Sequence, residues 1–276
     1  MKWIALLVLA SVLPAAAAAG GWFGARVPHT KDGKPDLAAP APRVNGKPDL
    51  SGVWEVERTS VNEFRSVLGD NFTKQQVDLN DVTKYMLDFF WGLKPADEPL
   101  TPAAVAIVQQ RRNIDFTTSR CLPGGLPAGM FITSFKMVQA PDEIVMITED
   151  GGPPRQIHMD GRGFPKDPLP AWMGYSIAKW DGDTLAVDTT GFNENSWLDA
   201  FGHPRSETMH VRERYRRRDA GHMDLEISID DPKYYTRPYT IQTQLNLQPG
   251  EIFEYVCTEN EKDLAHTEKH RAAAGN

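Results

Sequence analysis

A chain of 276 residues, 41% of them hydrophobic, is long enough to bury one large core or two small ones. Its formal charge of −7, from 37 acidic against 30 basic residues, argues against nucleic acid and anionic lipid as partners. It contains no Gly-x-Ser-x-Gly elbow, phosphate-binding loop, dinucleotide fingerprint, His-Glu-x-x-His or Cys-x-x-Cys, so hydride-transfer, ATP-driven and thiol-redox chemistry have no sequence support.

The first nineteen residues read as a targeting segment. Lys2 supplies the charge, Ile4 to Leu13 the short apolar run, and Ala17-Ala18-Ala19 a small-residue cleavage site. That run is too short to span a bilayer, which implies export to the periplasm or beyond rather than membrane insertion. In an oxidising compartment the two cysteines, Cys121 and Cys257, are expected to pair. The bridge would close a loop of roughly 136 residues and contribute on the order of 4 to 5 kcal/mol on the chain-entropy account.

Residues 20–49 are rich in Pro, Gly and Ala and repeat one phrase, Asp32-Gly-Lys-Pro-Asp-Leu37 and Asn45-Gly-Lys-Pro-Asp-Leu50. They predict an extended linker wrapped onto the body with turns at its glycines. The first strand is Leu50 to Val56, with Trp54 inward. Val82, Tyr85, Met86, Phe89 and Phe90 have helical spacing behind an Asn80 or Asp81 cap, and Thr101-Pro102 opens a second helix to about Asn113. Further strands are predicted at Phe131–Gln139, Glu143–Glu149, Gln156–Asp160, Tyr175–Trp180, Thr184–Thr190, Ser206–Arg217, Met223–Ile229, Thr240–Leu247 and Ile252–Cys257. Asp181-Gly182 marks a two-residue hairpin turn. A charged tail, Asn260 to Arg271, reads as a solvated helix; His266 and His270 stand four apart on it with nothing apolar around them. The pattern predicts one mainly β domain over 50–258, an antiparallel barrel or sandwich with two inserted helices at about 80–115.

Strand parity nominates chemistry. From Ser206 to Arg217 the arginines Arg212, Arg214, Arg216 and Arg218 share the face that must meet solvent, which turns Glu213 inward between Val211 and Tyr215. A buried carboxylate costs several kcal/mol unless paired or protonated. It is therefore either an acid with a raised pKa or half of an internal ion pair with an arginine. His158 and Asp160 fall on one face of one strand, an imidazole with its orienting carboxylate or two ligands of a metal. His203, Glu207 and His210 would make a zinc-like face on a helix, but strand alternation turns His210 away, so no metal is expected. His203 and Glu207 still converge in a loop beside Asp199 and Trp197. Trp172, Tyr175, Phe192, Asn193, Trp197 and Tyr235 mix aromatic and polar groups as a small-molecule pocket does, although aromatics also fill large β cores.

Four stretches, Pro48-Asp-Leu-Ser-Gly-Val-Trp54, Cys121-Leu-Pro-Gly-Gly-Leu-Pro127, Trp180 to Asn193 and Glu254-Tyr-Val-Cys257 with Asn260 beyond it, carry a resemblance over nearly all of the mature chain. On them the chain resembles a family of secreted bacterial proteins that has no assigned activity. That resemblance implies export and a β architecture, and no particular chemistry. Gly52-Val53-Trp54 is also similar to the Gly-x-Trp opening of lipocalins, which implies a calycin-like barrel. The two helices and the late strands depart from a plain eight-stranded lipocalin.

The expectation is thus a secreted barrel that binds a small hydrophobic or aromatic molecule and works on it by acid–base chemistry without a cofactor, as a lyase, hydratase or isomerase. His158 would be the base, Asp160 its orienter, Glu213 an acid, and His203 with Tyr235 the groups that polarise or position substrate. Glu207 joins the aromatic and polar residues above on the substrate side. A non-catalytic carrier and a structural envelope protein are the alternatives.

Overall fold

Alternating burial runs through the second half of the chain and closes it on itself. In the computed structural model, which describes residues 27–68, 83–111 and 117–259, a small hairpin comes first. It pairs β1 (Arg43–Val44) with β2 (Lys47–Pro48) across Asn45-Gly46, at φ of 51° and 77°, the paired positive angles of an Asn-Gly type I′ turn. There follow β3 (Gly52–Val56), β4 (Phe135–Gln139), β5 (Glu143–Thr148), β6 (Arg155–His158) and β7 (Tyr175–Asp181). The last four are β8 (Thr184–Thr190), β9 (His210–Arg217), β10 (His222–Asp230) and β11 (Tyr239–Gln248).

These nine strands form a closed barrel in which each pairs with its neighbours in sequence and β11 returns to β3. The expected barrel with inserted helices is what forms. One pair departs from antiparallel order: β6 and β7 run parallel, with Ile157 beside Ser176. A parallel pair needs a crossover of a dozen residues or more, and the proline-rich stretch 159–174 supplies it without a helix.

The inward row of β9 is Val211, Glu213, Tyr215 and Arg217, while its even-numbered arginines are exposed. In register across β10 lie Met223 opposite Arg217, Leu225 opposite Tyr215 and Ile227 opposite Glu213. With Trp54, Phe135, Met146, Leu185 and Leu245 they belong to one continuous core. Each fully buried aliphatic or aromatic side chain there contributes roughly 1.5 to 3 kcal/mol.

Several expectations shift. The β7–β8 turn is Gly182-Asp183, because Asp181 pairs with Thr184; only Gly182 has a positive φ, 60°. That is the type II′ pattern, with glycine first. The helix expected from Asn80 to Gly92 is a single turn, α2 (Lys84–Leu87), following the eight-residue α1 (Val61–Leu68), which the sequence reading missed. Thr83 Oγ1 caps α2 by accepting from Met86 N at 3.3 Å, and extended backbone at Asp88 ends it. Caps Asn80 and Asp81 lie outside the described residues, as do the targeting segment and the 260–276 tail. The second helix forms as α3 (Pro102–Arg111), with Ala104 N donating to Thr101 Oγ1 at 3.3 Å. The turn α4 (Gly129–Ile132) replaces the start of the strand expected from Phe131. Ile252 to Cys257 is not a strand; it is held on the outside of the barrel by the Cys121–Cys257 disulfide, whose Cα atoms are 5.4 Å apart.

The two barrel ends differ. Short turns and the N-terminal strap close one: Gly221 N donates to Leu37 O and Ala220 N to Ala39 O, both at 2.8 Å. The other lies under the described parts of the insertion, 57–68, 83–111 and 117–134, and loops 191–209 and 231–238. These are laced together by Ala200 N to Met86 O and Thr101 N to Tyr234 O, both 2.9 Å. No helix among the described residues is long and apolar enough to cross a membrane.

Candidate functional site

The loop-covered end gathers buried charge. His203, 1% exposed, sits in the 191–209 loop, where Asp199 makes a tight turn: Asp199 Oδ1 accepts from Gly202 N at 3.1 Å and from His203 N at 3.3 Å. Asp199 Oδ2 accepts from Phe89 N at 2.6 Å and from His203 Nδ1 at 2.5 Å, tying the segment just after α2 to the loop and fixing the imidazole. On the other side of the ring Nε2 donates to Glu98 Oε2 at 3.2 Å. Phe90 meets the ring edge-on at 4.8 Å. Tyr235 packs on Phe90 at 5.5 Å and donates its hydroxyl to Pro204 O at 2.5 Å.

Asp88 completes the cluster. Its Oδ1 accepts from Phe90 N at 2.8 Å, and Asp88, Glu98 and His203 each present a ligand-type atom within 4.8 Å of the others. Burial, reinforced by the Asp199 charge, pushes the Asp88 carboxyl up to about 6, against a smaller opposing pull from His203. Burial disfavours the charged form of His203 too, yet the charge and hydrogen bond of Asp199 and the hydrogen bond to Glu98 win and raise it to about 10. The ring is therefore an imidazolium at neutral pH beside a carboxyl that titrates just below it. Two carboxylates and one imidazole are donors that a divalent cation accepts; in this arrangement Nε2 already carries a proton bonded to Glu98, so a cation would have to displace it.

Glu213 is inside the barrel, as parity requires, at 1% exposure. It does not reach His203. Arg155 from β6 binds it with both terminal nitrogens, Nη1 to Oε1 at 2.9 Å and Nη2 to Oε2, and Tyr215 donates its hydroxyl to Oε1 at 2.7 Å. Arg155 also donates to Ser176 Oγ at 3.0 Å and Thr189 Oγ1 at 2.9 Å. Four neighbouring strands thus share one satisfied polar lock, and Glu213 is the ion-pair half rather than the free acid.

His158 and Asp160 do not form a pair, which corrects the expectation of an imidazole and its orienter on one face. β6 ends at His158, so alternation stops before Asp160. Asp160 turns to Arg162, whose Nε lies 2.8 Å from Oδ1; those hydrogen bonds hold its carboxyl down to about 2. His158 points outward, opposite in parity to buried Arg155 and Ile157, with Nδ1 3.7 Å from Glu143 and its ring 5.1 Å from Tyr175. No hydrogen bond, ion pair or ring contact links His158, Glu213 and His203 to one another.

The remaining nominees scatter. Glu207 is exposed and outside the cluster; Asp199 and Glu98 take the places expected for it. Phe192 and Asn193 are buried beneath Arg205, which donates to Asn193 O and Oδ1 at 3.0 Å, Trp172 O at 3.1 Å and Leu126 O at 2.8 Å. Arg205, pushed down to about 9 by burial, braces three loops against one another. Trp197 lies under the Arg111 guanidinium at 4.7 Å, one wall of the same capped end. Sequence reasoning missed Asp88, Glu98, Arg155 and Arg205. A signal existed for Asp88, an acid inside the apolar run 85–90, and for Arg155, in phase with Ile157.

Comparison of the chain with family models, with curated proteins and with solved structures gives no match in any of the three.

Proposed function

We propose that this protein is an exported barrel that transfers protons on a small apolar or aromatic carbonyl compound, with Asp88, Glu98, Asp199 and His203 as its centre. The observation that carries the reading is an imidazole fixed at both nitrogens by carboxylates with a third carboxyl alongside. Groups whose surroundings push their pKa values apart are the mark of an acid–base site. Asp199 orients the ring. The imidazolium supplies fixed positive charge for an oxygen that becomes negative in the transition state. Asp88, titrating near 6, is the group poised to exchange a proton with a carbon acid. Glu98 stands between His203 and the outside, its side chain 10% exposed, so substrate enters past it. Phe90 and Tyr235, both buried, pack against each other beside the cluster and keep its surroundings apolar.

Incubation in D2O with a panel of aryl ketones and aldehydes, read by mass spectrometry, tests this. Deuterium should appear next to a carbonyl with the wild type and fall at least a hundredfold with Asp88→Asn or His203→Gln. Undiminished exchange in those variants would end the proposal. Exchange that survives EDTA keeps the chemistry on the side chains, whereas loss in EDTA would move it to a cation.

A further inference from the structure

Beside the capped end, against the part of the insertion around Cys121, the segment that follows β11 runs along the outside of the barrel with no strand partner among the described residues. Four tethers hold it. Glu251 pairs with Lys136 at 2.9 Å, Phe253 N donates to Glu149 Oε1 at 3.1 Å, Cys257 is bonded to Cys121, and Cys257 Sγ lies 3.8 Å from Thr118 O. Between this segment and the barrel lies a cavity of about 790 Å3 with both cysteines in its lining. That volume is within the roughly 300 to 1,000 Å3 of ligand pockets.

Two features of the lining specify an occupant. Its apolar side chains are unusually uncovered: Phe253 is 81% exposed and Tyr255 53%, and Leu122 and Val256 beside them are exposed as well. Most of the large apolar side chains of a folded chain are covered, and a cluster left open marks a binding surface. The carboxylates of the lining are Glu149, Asp150 and Glu254, and there is no Lys, Arg or His among the lining residues. None of the three is in an ion pair among the described residues: Asp150 Oδ1 accepts from Thr148 Oγ1 at 2.5 Å and Gly152 N at 3.0 Å, and Glu149 accepts only from Phe253 N. Unpaired carboxylates beside aromatic rings attract cations, by charge and through the ring faces.

We infer that this cavity binds an apolar organic cation, an alkyl- or arylammonium, and that the disulfide keeps the pocket assembled. The cation meets the carboxylates, its hydrocarbon body covers Phe253, Tyr255 and Val256, and the covalent link keeps that wall in place while the site is empty. The site shares no residue with the Asp88–His203 cluster and stands whether or not that cluster is catalytic.

Calorimetric titration of the full chain with octyltrimethylammonium, against octanoate and octyl glucoside of equal chain length, decides it. The cation should bind at least tenfold more tightly than either partner. Glu254→Gln, on an exposed side chain that leaves the barrel untouched, should weaken the cation severalfold and leave the glucoside unchanged. Cys121→Ser with Cys257→Ser should weaken the cation at least tenfold while the far-ultraviolet circular dichroism of the barrel persists. Equal affinity for the three compounds, no binding of the cation, or affinity that survives loss of the disulfide would each overturn the proposal. So would binding that appears only after truncation behind Glu259, because the chain's own tail would then be the occupant.

Discussion

Glu213 inside the barrel and Asp88 under its cap are both carboxylates withdrawn from water, at 1% and 7% exposure, and they are treated in opposite ways. Glu213 meets one guanidinium across two hydrogen bonds and a tyrosine hydroxyl, so charge and hydrogen-bonding capacity both balance. Asp88 shares its space with Glu98, Asp199 and a single imidazolium, so acid exceeds base. A balanced buried pair needs no partner from outside and serves to fix which strands lie together. An unbalanced one raises the free energy of the folded state, and such strain persists where function requires it. Depth of burial therefore does not separate the two carboxylates; the surplus of charge does, and the proposed site is the unbalanced one.

The largest effect should come from unbalancing the lock. Glu213→Ala leaves Arg155 charged and fully buried, and urea denaturation should show a loss of about 3 to 5 kcal/mol. Replacing both, as Arg155→Met with Glu213→Leu, should cost much less than either alone. A double variant as unstable as the sum of the singles would mean that the two side chains act separately. Next comes His203. Its folded pKa lies near 10 against 6.5, so the stabilisation it contributes is complete below about pH 6.5 and disappears as pH rises through 10. That loss is on the order of 3 kcal/mol. Melting profiles of His203→Gln should be flatter than wild type across this window; parallel profiles would contradict an imidazolium held by Asp199 and Glu98. Asp88 should lose stability with rising pH as well, in a lower window, and here it is the charged form that harms the fold. Its carboxyl is raised from 3.8 to about 6, so the stability it lends is present below 3.8 and lost as pH climbs through 6. At pH 7 Asp88→Asn, which keeps the oxygen that accepts from Phe90 N, should therefore stabilise the fold by about 1 to 2 kcal/mol. A destabilised variant would show that Asp88 belongs to a balanced pair after all.

The contrast also marks what the sequence could reveal. Alternation along 206–217 is a one-strand signal, so it placed Glu213 inside and the arginine row outside without reference to any other strand. Naming Arg155 as its partner required knowing that β6 and β9 are brought together through β7 and β8, a matter of register. The cap cluster is harder still. Glu98 and His203 are 105 positions apart and meet through loops, where no periodicity says which way a side chain points. The His158 and Asp160 pairing failed for a related reason, since alternation was carried two residues past the end of β6. The disulfide was legible because two cysteines leave one possible pairing.

The smallest effect should be found one residue from the largest. Arg214 follows Glu213 on β9 and makes one hydrogen bond to Asp181 Oδ2 at 2.9 Å, where Arg155 makes two to Glu213. Parity puts this pair on the outer face, where both partners keep their water and salt screens what attraction remains. Arg214→Ala should therefore leave the urea midpoint where it is, at low salt and at high. The two pairs share guanidinium and carboxylate but differ in solvent and in the number of hydrogen bonds, and both differences point the same way. A clear loss with Arg214→Ala would place part of the barrel's stability in its outer arginine row, and the inner ion pair could no longer be credited as its only charged lock on that strand.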